Sequence, residues 1–171
     1  MQMNAVISDN AMGVGEFTAN EAERGSQYLT FICAGEEYGI DILRVQEIKG
    51  WEGATHVPHT PAYVLGVMNL RGLIVPVIDL RTRFNFEQRA FNASTVVIVV
   101  RVQCAMAEKT VGVVVDAVSE VYTFPGESIL PPPEMGERID GSCISGLANA
   151  GDKMVMLLDI DRLIASSIEH I

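Results

Sequence analysis

Short apolar runs broken by turn chemistry dominate the chain from Gln27 onward. Tyr28-Leu29-Thr30-Phe31-Ile32-Cys33 is followed by Gly35-Glu36-Glu37 and Tyr38-Gly39-Ile40, the pattern of a β-hairpin with a Gly-containing loop. Runs rich in Val and Ile cover Leu73 to Leu80, Thr95 to Val102, Val111 to Val115 and Met154 to Leu158. They are too short for helices, and β-branched side chains suit a pleated surface, so they predict strands and an all-β fold with few short helices. Pro76, inside the first of these runs, has no N–H for a ladder bond, which predicts an edge strand or a bulge there. Thr60-Pro61-Ala62-Tyr63-Val64-Leu65-Gly66 offers an N-cap, a first-turn Pro and a terminal Gly, predicting one or two helical turns. Asp159 to Ile171 puts Ile160, Leu163, Ile164, Ile168 and Ile171 on one face and predicts a C-terminal amphipathic helix. Pro131-Pro132-Pro133 breaks regular structure and predicts a rigid surface connection. Residues 1–26 mix Gly, Ser, Asn, Ala and acids without a period, predicting a mobile tail outside a domain of residues 27–171.

The apolar pattern also repeats. Tyr38 to Ile48 is echoed by Val111 to Val121 at a constant offset of 73 (39 to 112, 47 to 120). Val64 to Asn69 is echoed by Ile144 to Asn149, and Ile78-Asp79-Leu80 by Leu158-Asp159-Ile160, at an offset of 80 (66 to 146, 79 to 159). Two related β units follow, and function is best sought where they differ. The first carries Asn69-Leu70-Arg71-Gly72 where the second carries Asn149-Ala150-Gly151-Asp152.

Composition narrows the partners. A chain of 171 residues that is 49% hydrophobic and 20% charged can bury a real core. The net charge of −10, with no Lys/Arg run, repels phosphate backbones and argues against nucleic acid. Cys33, Cys104 and Cys143 are odd in number and lack Cys-x-x-Cys spacing, so a reducing cytosol is expected rather than a disulfide framework or zinc ribbon. No basic segment followed by an apolar one opens the chain, and no apolar stretch nears the roughly 20 residues that span a bilayer. Neither export nor membrane insertion is expected.

Catalytic chemistry finds little support. His56 and His59 flank Pro58 with no third ligand near in sequence, which reads as a loop rather than a metal site. Asp41, Asp79, Asp116 and Asp159 lie beside apolar strands, and a carboxylate dyad can be drawn among them. The repeat relation of Asp79 and Asp159 favours a shared structural role instead. The glycines form no phosphate cradle, and Ser94, Ser119, Ser128 and Ser142 lack a nucleophile elbow. His170 falls in the last predicted helical turn, where a cation suits the dipole. What remains is surface. Arg71 sits at a loop tip joining the predicted short helix to a strand, and its planar fork suits carboxylates or carbonyls of a partner. The plainer alternatives are a solvated Arg or a pair with a local acid such as Glu47. Val45, Val67 and Leu70 either line a groove beside it, with Trp51 and Tyr63 nearby in sequence, or belong to the core. An amphipathic helix would suit such a groove. A small-ligand or nucleic-acid-binding barrel is the alternative of another class.

Glu37-Tyr38-Gly39-Ile40-Asp41-Ile42-Leu43, Val45-Gln46-Glu47-Ile48, Thr60-Pro61 with Gly66, Asn69-Leu70-Arg71-Gly72 through Pro76 and Asp79-Leu80, then Thr95 to Val99 and Val111 to Asp116, form a long ordered series. In these segments the chain resembles the CheW family of chemotaxis coupling proteins. The resemblance implies two intertwined five-stranded SH3-like β-barrel subdomains with a hydrophobic groove between them, and no catalytic activity or cofactor. It implies a cytoplasmic adaptor, recruited to membrane-associated arrays, that links methyl-accepting chemoreceptors to the regulatory domain of the histidine kinase CheA. Such a protein is monomeric when free and ring-forming in arrays. Carried over by position, Val45, Glu47, Gly66 and Arg71 would face the receptor, with Asn69 and Gly72 shaping the loop. A receptor helix would lie in the groove, with its register fixed by Arg71 and close backbone approach allowed by Gly66. Val96, Val118 and Val121 match positions linked to coupling, and their strand context also fits core packing. Neither a receiver domain, as in CheV, nor kinase modules, as in CheA, fit this length, so a free-standing coupling protein is expected.

Overall fold

The computed structural model describes residues 25–132, 143–165 and 167. In chain order the strands are β1 (Ser26–Cys33), β2 (Glu36–Asp41), β3 (Val45–Gly50), β4 (Val64–Leu70), β5 (Leu73–Asp79), β6 (Val96–Cys104), β7 (Ala107–Val115), β8 (Ala117–Phe124), β9 (Ile144–Ala150) and β10 (Lys153–Leu158). Two short helices, Leu80–Arg83 and Ile160–Ala165, follow β5 and β10. The hairpin and the Val/Ile-rich strands read from the sequence are all present. No described helix is long and apolar enough to cross a membrane.

The strands form two five-stranded sheets, β8-β1-β2-β10-β9 and β3-β6-β7-β5-β4. Each sheet therefore combines a hairpin from one sequence repeat with three strands from the other. The junctions are parallel pairs, β2 with β10 and β7 with β5. At them Gly39 lies opposite Leu157 and Gly112 opposite Val77. A Cβ on Gly39 would stand 3.0 Å from Leu157 Cδ2, and one on Gly112 2.8 Å from Val97 Cγ2. The Gly39/Gly112 echo thus records crowding beside each junction, from Leu157 across it at Gly39 and from Val97 on β6 at Gly112.

A second shared device ties the edges of each sheet. The chain leaving β3 returns along β4, where Thr55 and Val67 exchange backbone hydrogen bonds of 2.8 and 2.9 Å. The chain leaving β8 does the same along β9 through Leu130 and Leu147. Gly66 and Gly146 make room for these straps. A Cβ on Gly66 would strike the Thr55 carbonyl, and one on Gly146 would meet Ile129 Cγ2 at 2.7 Å and the Leu130 carbonyl oxygen at 3.0 Å.

The main core lies between the sheets, where Phe31, Tyr38 and Ile40 face Ile98, Val100 and Val113. Phe31, Tyr38 and Phe84 continue one another at ring separations of 5.8 and 5.6 Å. Burying each such side chain stabilises the fold by about 1.5–3 kcal/mol. Leu80, Leu163 and Ile164 bring both short helices into the same cluster.

Three expectations need correction. Thr60 to Gly66 is not a helix: Val64 N–H bonds back to the Pro61 carbonyl at 2.9 Å, closing a turn, and β4 starts at Val64. Pro in a turn and Gly at a bulge leave the same letters as a capped helix. Pro76 is not on an edge strand, because β5 lies between β7 and β4. It is tolerated because Val67, opposite it, directs its N–H and C=O to Thr55, so this pair exchanges no bonds. On the other side the parallel ladder with β7 begins only at Val77. The chain irregularity is on β4, between Val64 and Gly66. Asn69 to Gly72 joins two strands rather than a helix to a strand. The C-terminal helix is described for Ile160–Ala165, so Ile168, His170 and Ile171 lie outside the described residues. The same holds for most of the 1–26 segment and for Pro133, while Pro131 and Pro132 stand in irregular structure.

Candidate partner-binding site

The hairpin between β4 and β5 turns on two residues, Arg71 and Gly72, with φ of +53° and +91°. Two left-handed residues match the twist of the flanking strands, which is why Asn-Gly is the favoured pair in such turns. Asn69 Oδ1 accepts the Gly72 N–H at 2.7 Å and holds the loop. Arg at the first position carries a left-handed penalty of about 1–2 kcal/mol. In the second repeat the corresponding turn begins with Gly151 at φ +64°, which has no Cβ to strain. Strain is tolerated in one copy only, and the residue that bears it is the one whose side chain could serve a partner.

That side chain reaches across the curled sheet. Although β4 and β3 are opposite edges, Arg71 Nη1 stands 2.7 Å from Glu47 Oε2 on β3. The Arg71 side chain is 78% exposed and that of Glu47 20%, so the pair contributes at most about 1 kcal/mol to stability. The guanidinium keeps much of its surface toward solvent. Beside the pair lies an open concavity of about 470 Å³ lined by Val45, Gln46, Glu47, Leu70, Arg71, Leu73 and Arg101. Leu73, at 52% exposed, supplies an apolar wall, and Leu43 on the turn before β3 is more exposed still. The chain thus gathers charged, polar and apolar side chains around one concavity, all on one sheet.

Three of the four residues expected to face a receptor come together here, with the two expected to shape the loop. Val45, Glu47 and Arg71 line the concavity, while Asn69 and Gly72 shape its turn. Val45 also packs on the main core. Gly66 is buried, and the close approach it permits is internal, to Thr55. Val96 and Val118 are half-buried against the main core, whereas Val121 is exposed on β8, an edge of the other sheet. Trp51 packs on Val77, Val97 and Val114 and meets Phe91 edge-on at 5.3 Å. Tyr63 packs on the main core, and its hydroxyl donates to the Ser167 carbonyl at 3.3 Å. Neither aromatic joins the concavity.

The aspartates hold backbone and side-chain donors in place. Asp41 Oδ1 accepts the Leu43 N–H at 2.9 Å, capping the turn Ile42–Arg44. Asp79 and Asp159 both donate their N–H across 2.7 Å, to Tyr63 and Cys143 carbonyls. Their side chains accept the Thr82 hydroxyl at 2.8 Å and the Arg162 N–H at 3.1 Å respectively. Burial raises the Asp79 carboxyl above its ordinary range. Burial pushes Asp116 in the same direction, but hydrogen bonds from Arg81 and the Ala34 N–H outweigh it and hold its carboxyl below that range. The Cys33 thiol is pushed up to about 12, chiefly by burial and then by Asp116, far from a reactive thiolate. No group of three potential metal ligands occurs among the described residues. Sequence reasoning missed Arg44, Arg101 and Asp161. Arg101 lines the concavity, and Arg44 and Asp161 meet just beside it. The repeat offset already relates Asp161 to Arg81, a signal that could have found it.

Known proteins share this architecture. Residues 27–167 match the family model described as a CheW-like domain. The chain is 42% identical over 142 residues to a chemotaxis protein CheW of Klebsiella aerogenes, covering 83% of each chain. It is 35% identical over 148 residues to a probable chemotaxis protein CheW of Rhizobium etli, covering 86% of this chain and 92% of that one. Among solved structures, the scaffolding protein TtCheW from Thermoanaerobacter tengcongensis superposes with a TM-score of 0.73 at 35% identity, over 81% of this chain and 87% of that one. Two repeats exchanging strands between two five-stranded sheets, matched over nearly all of their length, place this chain in the CheW family of chemotaxis proteins.

Proposed function

We propose that this protein is a non-enzymatic scaffold that couples the cytoplasmic tips of methyl-accepting chemoreceptors to the histidine kinase CheA. The observation that carries the reading is the Arg71 turn. A residue held in a left-handed conformation, largely exposed, lines a concavity in which Val45, Leu70 and Leu73 stand among Gln46, Glu47 and Arg101. Its repeat counterpart is an unstrained glycine. Family membership and the scaffolding role named for TtCheW support the same assignment.

A receptor helix presenting apolar side chains toward Leu73 and Val45 and an acceptor toward Arg71 would fit this concavity, with Glu47 holding the guanidinium in place. Arg supplies the geometry, because its fork can keep one bond to Glu47 and offer others to the helix. The carboxylate also lets the site discriminate, since Glu47 repels an acidic side chain placed on its flank. The assembly acts at the membrane-associated receptor array, from the cytoplasmic side. Arg71→Ala should weaken binding to a purified receptor signalling fragment while leaving CheA binding and the fold intact. Equal loss of both interactions, or unchanged receptor binding, contradicts this assignment.

A further inference from the structure

The chain crosses between its sheets at two related places. After β2 the turn Ile42–Arg44 carries it into β3, and after β7 Asp116 carries it into β8. Each crossing is locked by an ion pair to the second residue of the short helix that follows β5 or β10. Asp116 holds Arg81 through contacts of 2.7, 2.8 and 3.0 Å. Arg44 holds Asp161 through two parallel bonds of 2.7 Å. Arg81 and Asp161 are related by the repeat offset of 80 (81 to 161), so the two locks match at the helix and are reversed in polarity, while Arg44 and Asp116 sit one position apart on the offset of 73 (44 to 117).

Their surroundings differ. The Arg81–Asp116 side chains are 11% and 20% exposed and also anchor the Ala34 N–H and the Glu87 carbonyl. Arg44–Asp161 is more exposed, at 36% and 29%. Asp161 also reaches the backbone, where its Oδ1 accepts the N–H of Gln103 at 2.7 Å. The β3–β6 ladder ends at Val45 opposite Val100, so the carboxylate takes the edge of β6 that β3 has left. Arg44 Nη1 reaches the Arg101 carbonyl of the same edge at 3.3 Å. Immediately after Arg44, the ladder slips between Val45 and Glu47, leaving Gln46 without a partner. A bulge re-aims the side chains on either side of it, and its attitude depends on what holds its ends. Here one end is the ladder from Glu47 to Gly50, and the other is Arg44 in the grip of Asp161.

We propose that Asp161 is a positioning residue for the partner concavity. By fixing Arg44 and extending the free edge of β6, it sets the attitude of Val45 and Glu47, and Glu47 in turn holds Arg71. This inference rests on the receptor-binding reading above and adds the C-terminal helix to the site, although that helix does not line it.

The test compares four variants of the full chain: Asp161→Asn, Arg44→Lys, Asp116→Asn and Arg71→Ala. Affinity for a receptor signalling fragment is measured beside melting temperature and amide hydrogen exchange of Val45 to Ile48. Asp161→Asn should weaken binding about threefold to tenfold and speed exchange at the start of β3. Arg44→Lys, which keeps the charge but loses the fork, should do the same and stands in if Asp161→Asn folds poorly. Asp116→Asn should melt lower than either yet bind normally when folded. That rank reversal is what a purely structural role of Asp161 would not produce. If Arg71→Ala weakens binding and neither Asp161→Asn nor Arg44→Lys does, the positioning role is overturned while the receptor site stands. If none of the three weakens binding, both readings fall. If binding falls only in proportion to stability, Asp161 is structural and the inference is overturned.

Discussion

Arg71 shares its left-handed backbone angle with its repeat counterpart Gly151 and differs from it in carrying a side chain. Replacing it with Gly, the residue its counterpart uses, removes a penalty of about 1–2 kcal/mol, partly offset by the extra freedom of Gly in the unfolded chain. The lost Glu47 pair, with the arginine largely exposed and the glutamate mostly buried, contributes at most about 1 kcal/mol. Arg71→Gly should therefore be no less stable than the parent in urea, while losing receptor affinity as Arg71→Ala does. A clear drop in denaturation midpoint would show that Arg71 serves the fold. Asp116 gives the opposite kind of residue. Its folded carboxyl is held below the ordinary range, so its contribution is present above the unfolded value near pH 4 and is lost as pH falls through the depressed folded one. Asp116→Asn should lower the melting temperature at neutral pH and narrow its difference from the parent below about pH 4. A difference constant from neutral to acid pH would contradict the Arg81 lock. Comparing the repeats singles out Arg71 from sequence alone, with Glu47 as a candidate mate. The strain is not legible there, because a left-handed angle depends on the turn length, which the helix expected over Thr60 to Gly66 obscured.

At the level of strands, both straps rest on a glycine, but unequally. Gly66 combines φ +139° with a backbone carbonyl where a Cβ would go, and neither can yield easily. Gly146 has no left-handed φ, and its obstacles, Ile129 Cγ2 at 2.7 Å and the Leu130 carbonyl oxygen at 3.0 Å, stand farther off than the Thr55 carbonyl does from Gly66. Gly66→Ala should cost about 3 kcal/mol or more and Gly146→Ala clearly less, as read from urea midpoints. Equal losses would mean that the Thr55 strap is not what holds Gly66. Strand positions were legible because β-branched runs are a local signal. Pro76 shows the limit: its missing N–H is harmless inside the sheet because Val67 bonds to Thr55, a fact about partners rather than about its own neighbours. Arg44 and Asp161 were missed for the same reason, being 117 positions apart until the fold brings them together.

Across the whole molecule, strand exchange makes the halves interdependent. β1 and β2 share a sheet with β8, β9 and β10, while β3, β4 and β5 share one with β6 and β7. The repeat reveals two related units, but periodicity does not say which strands pair, so the exchange itself was beyond the residues alone. Unfolding should be one cooperative transition reported alike by Trp51 fluorescence and far-UV circular dichroism; two separated transitions would contradict the interlock. A chain cut in the connection between Phe84 and Thr95 should stay assembled as two fragments, neither folded alone. The connected sheets then carry the strained Arg71 turn, the feature on which the proposed scaffold role rests. Reconstitution of CheA autophosphorylation with receptor signalling fragments, with and without this chain, tests that role most directly. The parent chain should raise kinase activity in the presence of receptor, and Arg71→Ala should lose most of that rise while still binding CheA. A chain that binds neither partner and leaves kinase activity unchanged would contradict the account.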